Sequence, residues 1–277
     1  MADCEPIAHQ FMDLKVPECA YMFGFLQADG HLSQQSRQRG RLTAEISARD
    51  IDLLREFQKL TPYNSSITER RRSTNFAESA HSAVWSLWSL EARTKLNDLG
   101  LPYGRKSKTI APPHAEFPHR DYLRGVIDAD GSVGFTKQRL PFISLTTAST
   151  EIGAYLCFYA REITGVERTI KRNKRDDIYN ICYWKERAQK LAAHLYYPGC
   201  LSLQRKQTAA ESLSAWVRPA DMKVMTHRRW KAQEDRVLLE HNSATSAAEA
   251  LGRTVRSCSL RLWRLRTGQV PMPTSDQ

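Results

Sequence analysis

The sequence predicts an α+β protein made of two copies of one αββαββα unit, followed by a small all-α domain. Three observations carry that prediction. The stretch Pro17 to Gly30 returns as Pro118 to Gly131, with Pro, Tyr, Gly, Ala, Asp and Gly matched at a spacing of 101 residues. Each copy is followed by the same order of strand-like and helix-period segments. Beyond Arg218-Pro219-Ala220-Asp221 the character changes to short helical patterns anchored by tryptophan. These observations place repeat 1 at residues 1–110, repeat 2 at 111–217, a linker at 218–228, the all-α domain at 229–268 and a tail at 269–277.

Each matched stretch reads as a helix with marked ends. Pro17 and Pro118 suit a first turn, where the missing N–H has no partner to lose. Gly30 and Gly131 stand where a left-handed residue stops a helix. Gly24 with Ala28, and Gly125 with Ala129, fall four apart on one helical face, so two backbones can approach closely. The simplest partner for each helix is the other. A hairpin turn at each Asp-Gly is the competing reading, but neither flank alternates and each preceding run is helix-length. Asp29 and Asp130 then sit at helix C-termini, where the macrodipole is already negative. Side by side they would also repel, and a hard divalent cation between them offsets that cost.

Met22 to Gly30 and Leu123 to Gly131 resemble the two signature motifs of the LAGLIDADG homing endonucleases. The second copy holds Gly125, Asp128, Ala129, Asp130 and Gly131 of that pattern; the first departs from it with Gln27 where the earlier Asp is usual. The resemblance implies two saddle-shaped sheets flanking the central helix pair and clamping double-stranded DNA. It implies that Asp29 and Asp130 are catalytic and bind Mg²⁺ (Mn²⁺ as a substitute), helped by the carbonyls of Ala28 and Ala129. A lysine near the end of each repeat approaches the scissile phosphate in that family. Lys106 and Lys206 are the candidates here, with Lys108 and Arg205 as rivals. Two repeats in one chain imply a monomer that needs no protein partner and cuts both strands of a long asymmetric target, leaving short 3′ overhangs.

The remaining elements follow in order. Leu42 to Ser47 reads as a strand, paired with the more polar stretch before it, and Asp50 opens a helix with Ile51, Leu53, Leu54, Phe57 and Leu60 on its apolar face. A second strand pair runs from Ser66 through Arg70-Arg71-Arg72 to Trp88, and Glu91 to Leu99 closes the repeat. In repeat 2 the strands are Gly134–Lys137 with Pro141–Thr146, and Thr169–Asn173 with Ile178–Trp184. Helices span Thr150–Thr164, Glu186–Tyr196 and Leu203–Trp216. Arg37, Arg39, Arg41, Arg70, Arg71, Arg72, Lys137, Arg139, Lys171, Arg172, Lys174 and Arg175 all fall on these strands or their turns. On a DNA-facing sheet they would contact phosphate and read guanine; on a solvated edge they would suppress strand aggregation. Their clustering in both repeats favours DNA.

In the C-terminal part, Trp230, Glu234, Asp235, Leu238 and Leu239 resemble the first helix of a Myb/SANT-like helix-turn-helix domain. Ala247 to Thr254 resembles its second helix and tight turn. Val255 to Leu265 is then the recognition helix, with Trp263 in the core and Arg253, Arg256, Arg261 and Arg264 on or beside it as DNA contacts. Composition agrees with a polyanionic partner: 277 residues carry a net charge of +11 and the pI is near 9.5. Six cysteines without any C-x-x-C pair argue against zinc fingers and a disulfide framework. No stretch reads as a transmembrane helix or signal peptide, so a cytoplasmic protein is expected; the resemblance implies a free-standing or intron-encoded gene of a bacterium or phage. A non-cleaving transcription regulator or an intron maturase on the same fold is the rival reading.

Overall fold

A computed structural model describes residues 11–35, 39–74, 77–222, 230–241 and 243–273, apart from the side chains of 73, 74 and 77–79. The chain divides into two compact units, Met1–Arg218 and Pro219–Gln277. No helix among the described residues is long and apolar enough to cross a membrane.

The larger unit is assembled around α1 (Pro17–Asp29) and α4 (His119–Asp130), which pack directly against each other. Glycine is what allows it. A Cβ on Gly24 would lie 2.3 Å from the Tyr122 carbonyl oxygen, and one on Gly125 would lie 2.1 Å from that of Tyr21. Real side chains do not approach backbone so closely, so the small-residue stripes bring the two helices into contact as expected.

The helix ends differ from expectation. Gly30 (φ −71°, ψ 150°) and Gly131 (φ −106°, ψ −178°) are extended, not left-handed. The reason is that a strand starts at each glycine, so the chain must straighten at once. Glycine is needed there for space instead. A Cβ would fall 2.5 Å from the Leu26 carbonyl oxygen at position 30 and 2.5 Å from that of Ser144 at position 131.

Repeat 1 continues as β1 (Gly30–Leu32), β2 (Leu42–Ser47), α2 (Ile51–Lys59), β3 (Ser65–Thr74), β4 (Ala77–Leu87) and α3 (Leu90–Asp98). Its four strands form an antiparallel sheet in the order β1-β2-β4-β3. Leu42, Ala44, Ala83, Trp85 and Leu87 face the helices, and the rings of Tyr21, Phe25, Phe57 and Trp85 meet beneath them.

Repeat 2 follows with β5 (Gly131–Phe135), β6 (Pro141–Thr147), α5 (Thr150–Thr164), β7 (Tyr179–Trp184), α6 (Glu186–Leu195) and α7 (Gln204–Leu213). Here one expected strand is missing: among the described residues the sheet has three strands, β5-β6-β7. Thr169–Asn173 contributes only an isolated bridge between Arg172 and Tyr179. The charged run that follows closes a tight loop instead of extending a ladder. Asn173 N–H donates to the Ile178 carbonyl at 2.8 Å, and the Arg172 guanidinium folds back to the carbonyls of Ala148 and Asp177.

The smaller unit holds α8 (Ala232–Glu240), α9 (Ala244–Leu251) and α10 (Val255–Arg266) around Leu238, Ala247, Ala248, Cys258 and Leu265. Ser243 and Thr254 cap the starts of α9 and α10 with their side chains, and Gly252, left-handed at φ 58°, ends α9. Trp263 is not in the core; it is 51% exposed. On α10 the inward positions run through Cys258 and Leu265, and Trp263 falls on the opposite face.

Candidate active site

Asp29 and Asp130 are the last residues of α1 and α4, and both are exposed. Burial of their surroundings pushes both carboxyls above the usual range. Asp130 rises to about 6, first by desolvation and then by the charge of Asp29. Asp29 rises by desolvation alone, against the lowering pull of Lys106 and Lys206.

Lys106 and Lys206 sit immediately behind them, 8% and 4% exposed. Lys106 Nζ donates to the carbonyls of Gln27 (2.5 Å) and Ala28 at the end of α1. Lys206 Nζ donates to those of Ile127 (2.8 Å), Asp128 (2.6 Å) and Gly131 (2.8 Å) at the end of α4. Each ammonium therefore meets the negative end of a helix dipole, where the last carbonyls lack intrahelical partners. Desolvation lowers both lysines to about 8, against the opposing pull of the acids. Because all three Lys206 N–H bonds are used within the protein, it acts first as a helix cap. The rivals are also engaged: Lys108 pairs with Asp177 (2.8 Å) and Arg205 with Asp50 (3.0 Å).

A crossed pair of tyrosines, each about two turns before the acid of its own helix, locks the helices together. Tyr21 of α1 donates to Asp128 of α4 (2.6 Å), and Tyr122 of α4 donates to Gln27 of α1 (2.5 Å). The sequence reading missed these residues as site-builders, although Tyr21 and Tyr122 recur at the repeat spacing. The pattern also explains Gln27. Its amide donates to the carbonyls of Gly100 (2.8 Å) and Ala111 (3.0 Å), which a carboxylate cannot do. Asp128 instead accepts from Tyr21, Tyr196 (2.7 Å) and Leu203 N–H (2.7 Å), which suits a carboxylate.

Compared with known proteins, the chain matches no protein-family model. In structure it is similar to the homing endonuclease I-WcaI bound to its DNA recognition sequence, with a TM-score of 0.52 and 15% identity. That likeness covers 73% of this chain and 89% of the endonuclease. This is a LAGLIDADG-type fold. Full-length DUF199/WhiA from Thermatoga maritima aligns over 93% of this chain and 94% of its own, at 11% identity and a TM-score of 0.43. A curated relative, the tRNA-splicing ligase RtcB of Methanopyrus kandleri, is 30% identical over 158 residues. The match takes in 51% of this chain but only 16% of the length of the ligase.

On this LAGLIDADG-type fold the basic residues separate into groups. Arg37 lies outside the described residues. Arg39, Arg41, Arg70, Arg71 and Arg72 are exposed on sheet 1 and its hairpins. Strand alternation puts Arg70 and Arg72 on the face turned away from the helices and Arg71 on the other. Arg72 is paired with Glu45. A cleft of about 850 Å³ beside β1 and β2 is lined by His31, Arg39, Arg41, Trp88 and Arg93, among others. In repeat 2, Lys137, Arg139, Lys171, Lys174 and Arg175 are exposed on turns. Arg172 is not a free contact, being folded against Tyr179 (4.6 Å to the ring centre) and the Ala148 carbonyl.

The smaller unit brings the largest correction. Arg253 pairs with Glu234 (2.8 Å) and Arg261 with Asp235 (2.6 Å), and both guanidiniums lie over the Trp230 ring. Arg261 thereby ties α10 to α8, Arg253 ties the α9–α10 turn to α8, and neither guanidinium is a free outward contact. Arg256 and Arg264 are exposed on α10. Among the described residues no cluster of three or more His, Cys, Asp or Glu side chains could hold a metal ion. A cation at the helix ends would therefore rest on Asp29 and Asp130, and the Ala28 carbonyl already accepts from Lys106.

Proposed function

We propose that the chain is a site-specific double-strand DNA endonuclease in which one protein reads an asymmetric target. The observation that supports this most is the paired placement of Asp29 and Asp130. Two carboxylates end two contacting helices, each beside the sheet of its own repeat and each backed by a buried lysine. One acid per repeat gives one hydrolytic centre per strand.

Asp29 and Asp130 are the residues that would hold Mg²⁺, with Mn²⁺ as a substitute. The donor set fits, since Mg²⁺ takes one or two carboxylates together with water and substrate phosphate, and does not require an all-protein cage. When bound it supplies Lewis-acid stabilisation of the charge developing on the phosphate and the leaving 3′ oxygen. The remaining work falls to the chain itself. Lys106 and Lys206 neutralise the helix ends that would otherwise oppose a polyanion, and the tyrosine cross-links fix the separation of the acids. Arg39, Arg41 and Arg70 of repeat 1, with Lys137, Arg139, Lys171, Lys174 and Arg175 of repeat 2, position double-stranded DNA through phosphate and base-edge contacts. The C-terminal helices act as a helix-turn-helix module whose tether adds affinity and target length, with Arg256 and Arg264 facing the duplex.

The test is cleavage of a randomised duplex library by the full chain in Mg²⁺, beside Ca²⁺, EDTA and the variants Asp29→Asn and Asp130→Asn. Defined cuts that need Mg²⁺ and both acids are expected, with each variant retaining DNA affinity and at most nicking. Binding without cutting in every metal would replace the nuclease with a non-cleaving regulator or maturase.

A further inference from the structure

Register between the repeats exposes an asymmetry that the shared fold does not require. In sheet 1, Gly30 pairs with Ala44 at the acid end, and the ladder continues past Leu32 and Leu42 until Ser33 N–H donates to the Arg41 carbonyl (2.9 Å). In sheet 2, Gly131 pairs with Leu145, and the matching step is Gly134 opposite Phe142. Arg41 and Phe142 are therefore equivalent, 101 residues apart in sequence. Each lies three strand residues from the pairing beside its own acid, about 10 Å away, or roughly three base-pair steps.

Their surroundings match as well. Leu42 and Ile143 are buried against the helices, so alternation turns Arg41 and Phe142 to the opposite face. A half-exposed tryptophan neighbours each position: Trp88 just beyond the β4 residue that pairs with Leu42, and Trp184 directly opposite Phe142. The Phe142 and Trp184 rings meet at 5.8 Å between centres. On the other side Gly134 has no side chain, leaving the Phe142 ring open. The outward positions of β5 and β6 are Ser132, Gly134, Phe142, Ser144 and Thr146, without a single charge. The corresponding positions in sheet 1 are His31, Ser33, Arg41, Thr43 and Glu45, two of them charged. Cations around the uncharged patch, Lys137 and Arg139, stand on the β5–β6 turn.

We propose that Arg41 and Phe142 are equivalent base-reading positions that give the two half-sites different identities, guanine at Arg41 and thymine at Phe142. The proposal rests on the DNA-binding reading above. A guanidinium can donate two hydrogen bonds to guanine O6 and N7, whereas a phenyl ring has no polar atom and can only pack on the C5-methyl of thymine. The flanking Lys137 and Arg139 match the phosphate backbone beside the patch, which makes duplex DNA the occupant.

The experiment is selection of bound duplexes by the full chain in Ca²⁺, followed by affinities on the selected site. Wild type should select guanine and thymine at the two positions equidistant from the centre. Phe142→Arg should convert the thymine preference to guanine, and Phe142→Ala should lose it while keeping salt-sensitive binding. Deoxyuridine in place of that thymidine, which removes only the methyl, should weaken wild type about 4-fold and leave Phe142→Ala unchanged. The same base at both positions, or an unaltered preference in Phe142→Arg and Phe142→Ala, would overturn the proposal while DNA binding stood. A chain that binds no duplex at all would instead remove the DNA reading beneath it.

Discussion

Replacing Gly125 with alanine tests the helix contact on which the site is built. An ideal Cβ there would lie 2.1 Å from the Tyr21 carbonyl oxygen and 2.9 Å from the Phe25 nitrogen. An ordinary carbon–oxygen contact is about 3.3 Å or longer, so α1 and α4 must part by about 1 Å. Both clashing groups are backbone within a helix, and a close-packed interior cannot absorb the shift by rotating side chains. Overpacking of this kind costs about 1–3 kcal/mol, and a gap of 0.5–1 Å forfeits roughly a quarter to a half of the dispersion along the contact. We therefore expect about 3 kcal/mol, which lowers the melting temperature by roughly 6–12 °C for a unit of this size. Gly24→Ala, with its Cβ 2.3 Å from the Tyr122 oxygen, should behave alike. The double variant should cost less than the sum, because one separation relieves both clashes. The assay is thermal and urea unfolding of the full chain, with Gly153→Ala as control, since its nearest neighbours are the methyl ends of Ile170 and Ile181 at 3.2 and 3.4 Å. A Gly125→Ala melting temperature equal to that of the control would refute the reasoning.

Three further outcomes are expected. Gln27→Glu should destabilise the larger unit by about 3 kcal/mol or more, because a buried carboxylate would face the Gly100 and Ala111 carbonyls; an unchanged urea midpoint would count against that pairing. Lys206 is lowered to about 8 by burial, from 10.5, so between those values the unfolded chain binds the extra proton and stability from this group rises with pH. The stability difference between wild type and Lys206→Met in EDTA should accordingly widen by about 1 kcal/mol from pH 8 to 9, with the cysteine thiols cancelling; a constant difference would refute the burial of the charge. Arg253→Ala should melt the C-terminal unit early by removing the partner of buried Glu234. Arg264→Ala should leave that melting unchanged and reduce the slope of log affinity against log salt by about 0.9 if it meets one phosphate. Equal effects of the two arginines on melting would contradict their assignment.

Much of this protein is determined by sequence alone. The repeat, the contacting helices and the placement of Asp29 and Asp130 follow from six identities at one spacing, because glycine stripes and helix-end acids act locally and leave a periodic trace. Lys106 and Lys206 were legible only as candidates; their role as helix caps depends on carbonyls 75–79 positions earlier in the chain. Side-chain pairing at such range has no period to read. The same limit governs Gln27 against Asp128, whose difference follows from whether the facing groups accept or donate. It governs Arg253 and Arg261, which look like recognition-helix cations until Glu234 and Asp235 are seen beside them. It also governs the missing fourth strand of repeat 2, where Thr169–Asn173 pairs with β7 only through the isolated Arg172–Tyr179 bridge. Sequence determines what each segment can form; which polar group meets which is decided only when distant segments are brought together, because a hydrogen bond or ion pair is specified by position in space and not by spacing along the chain.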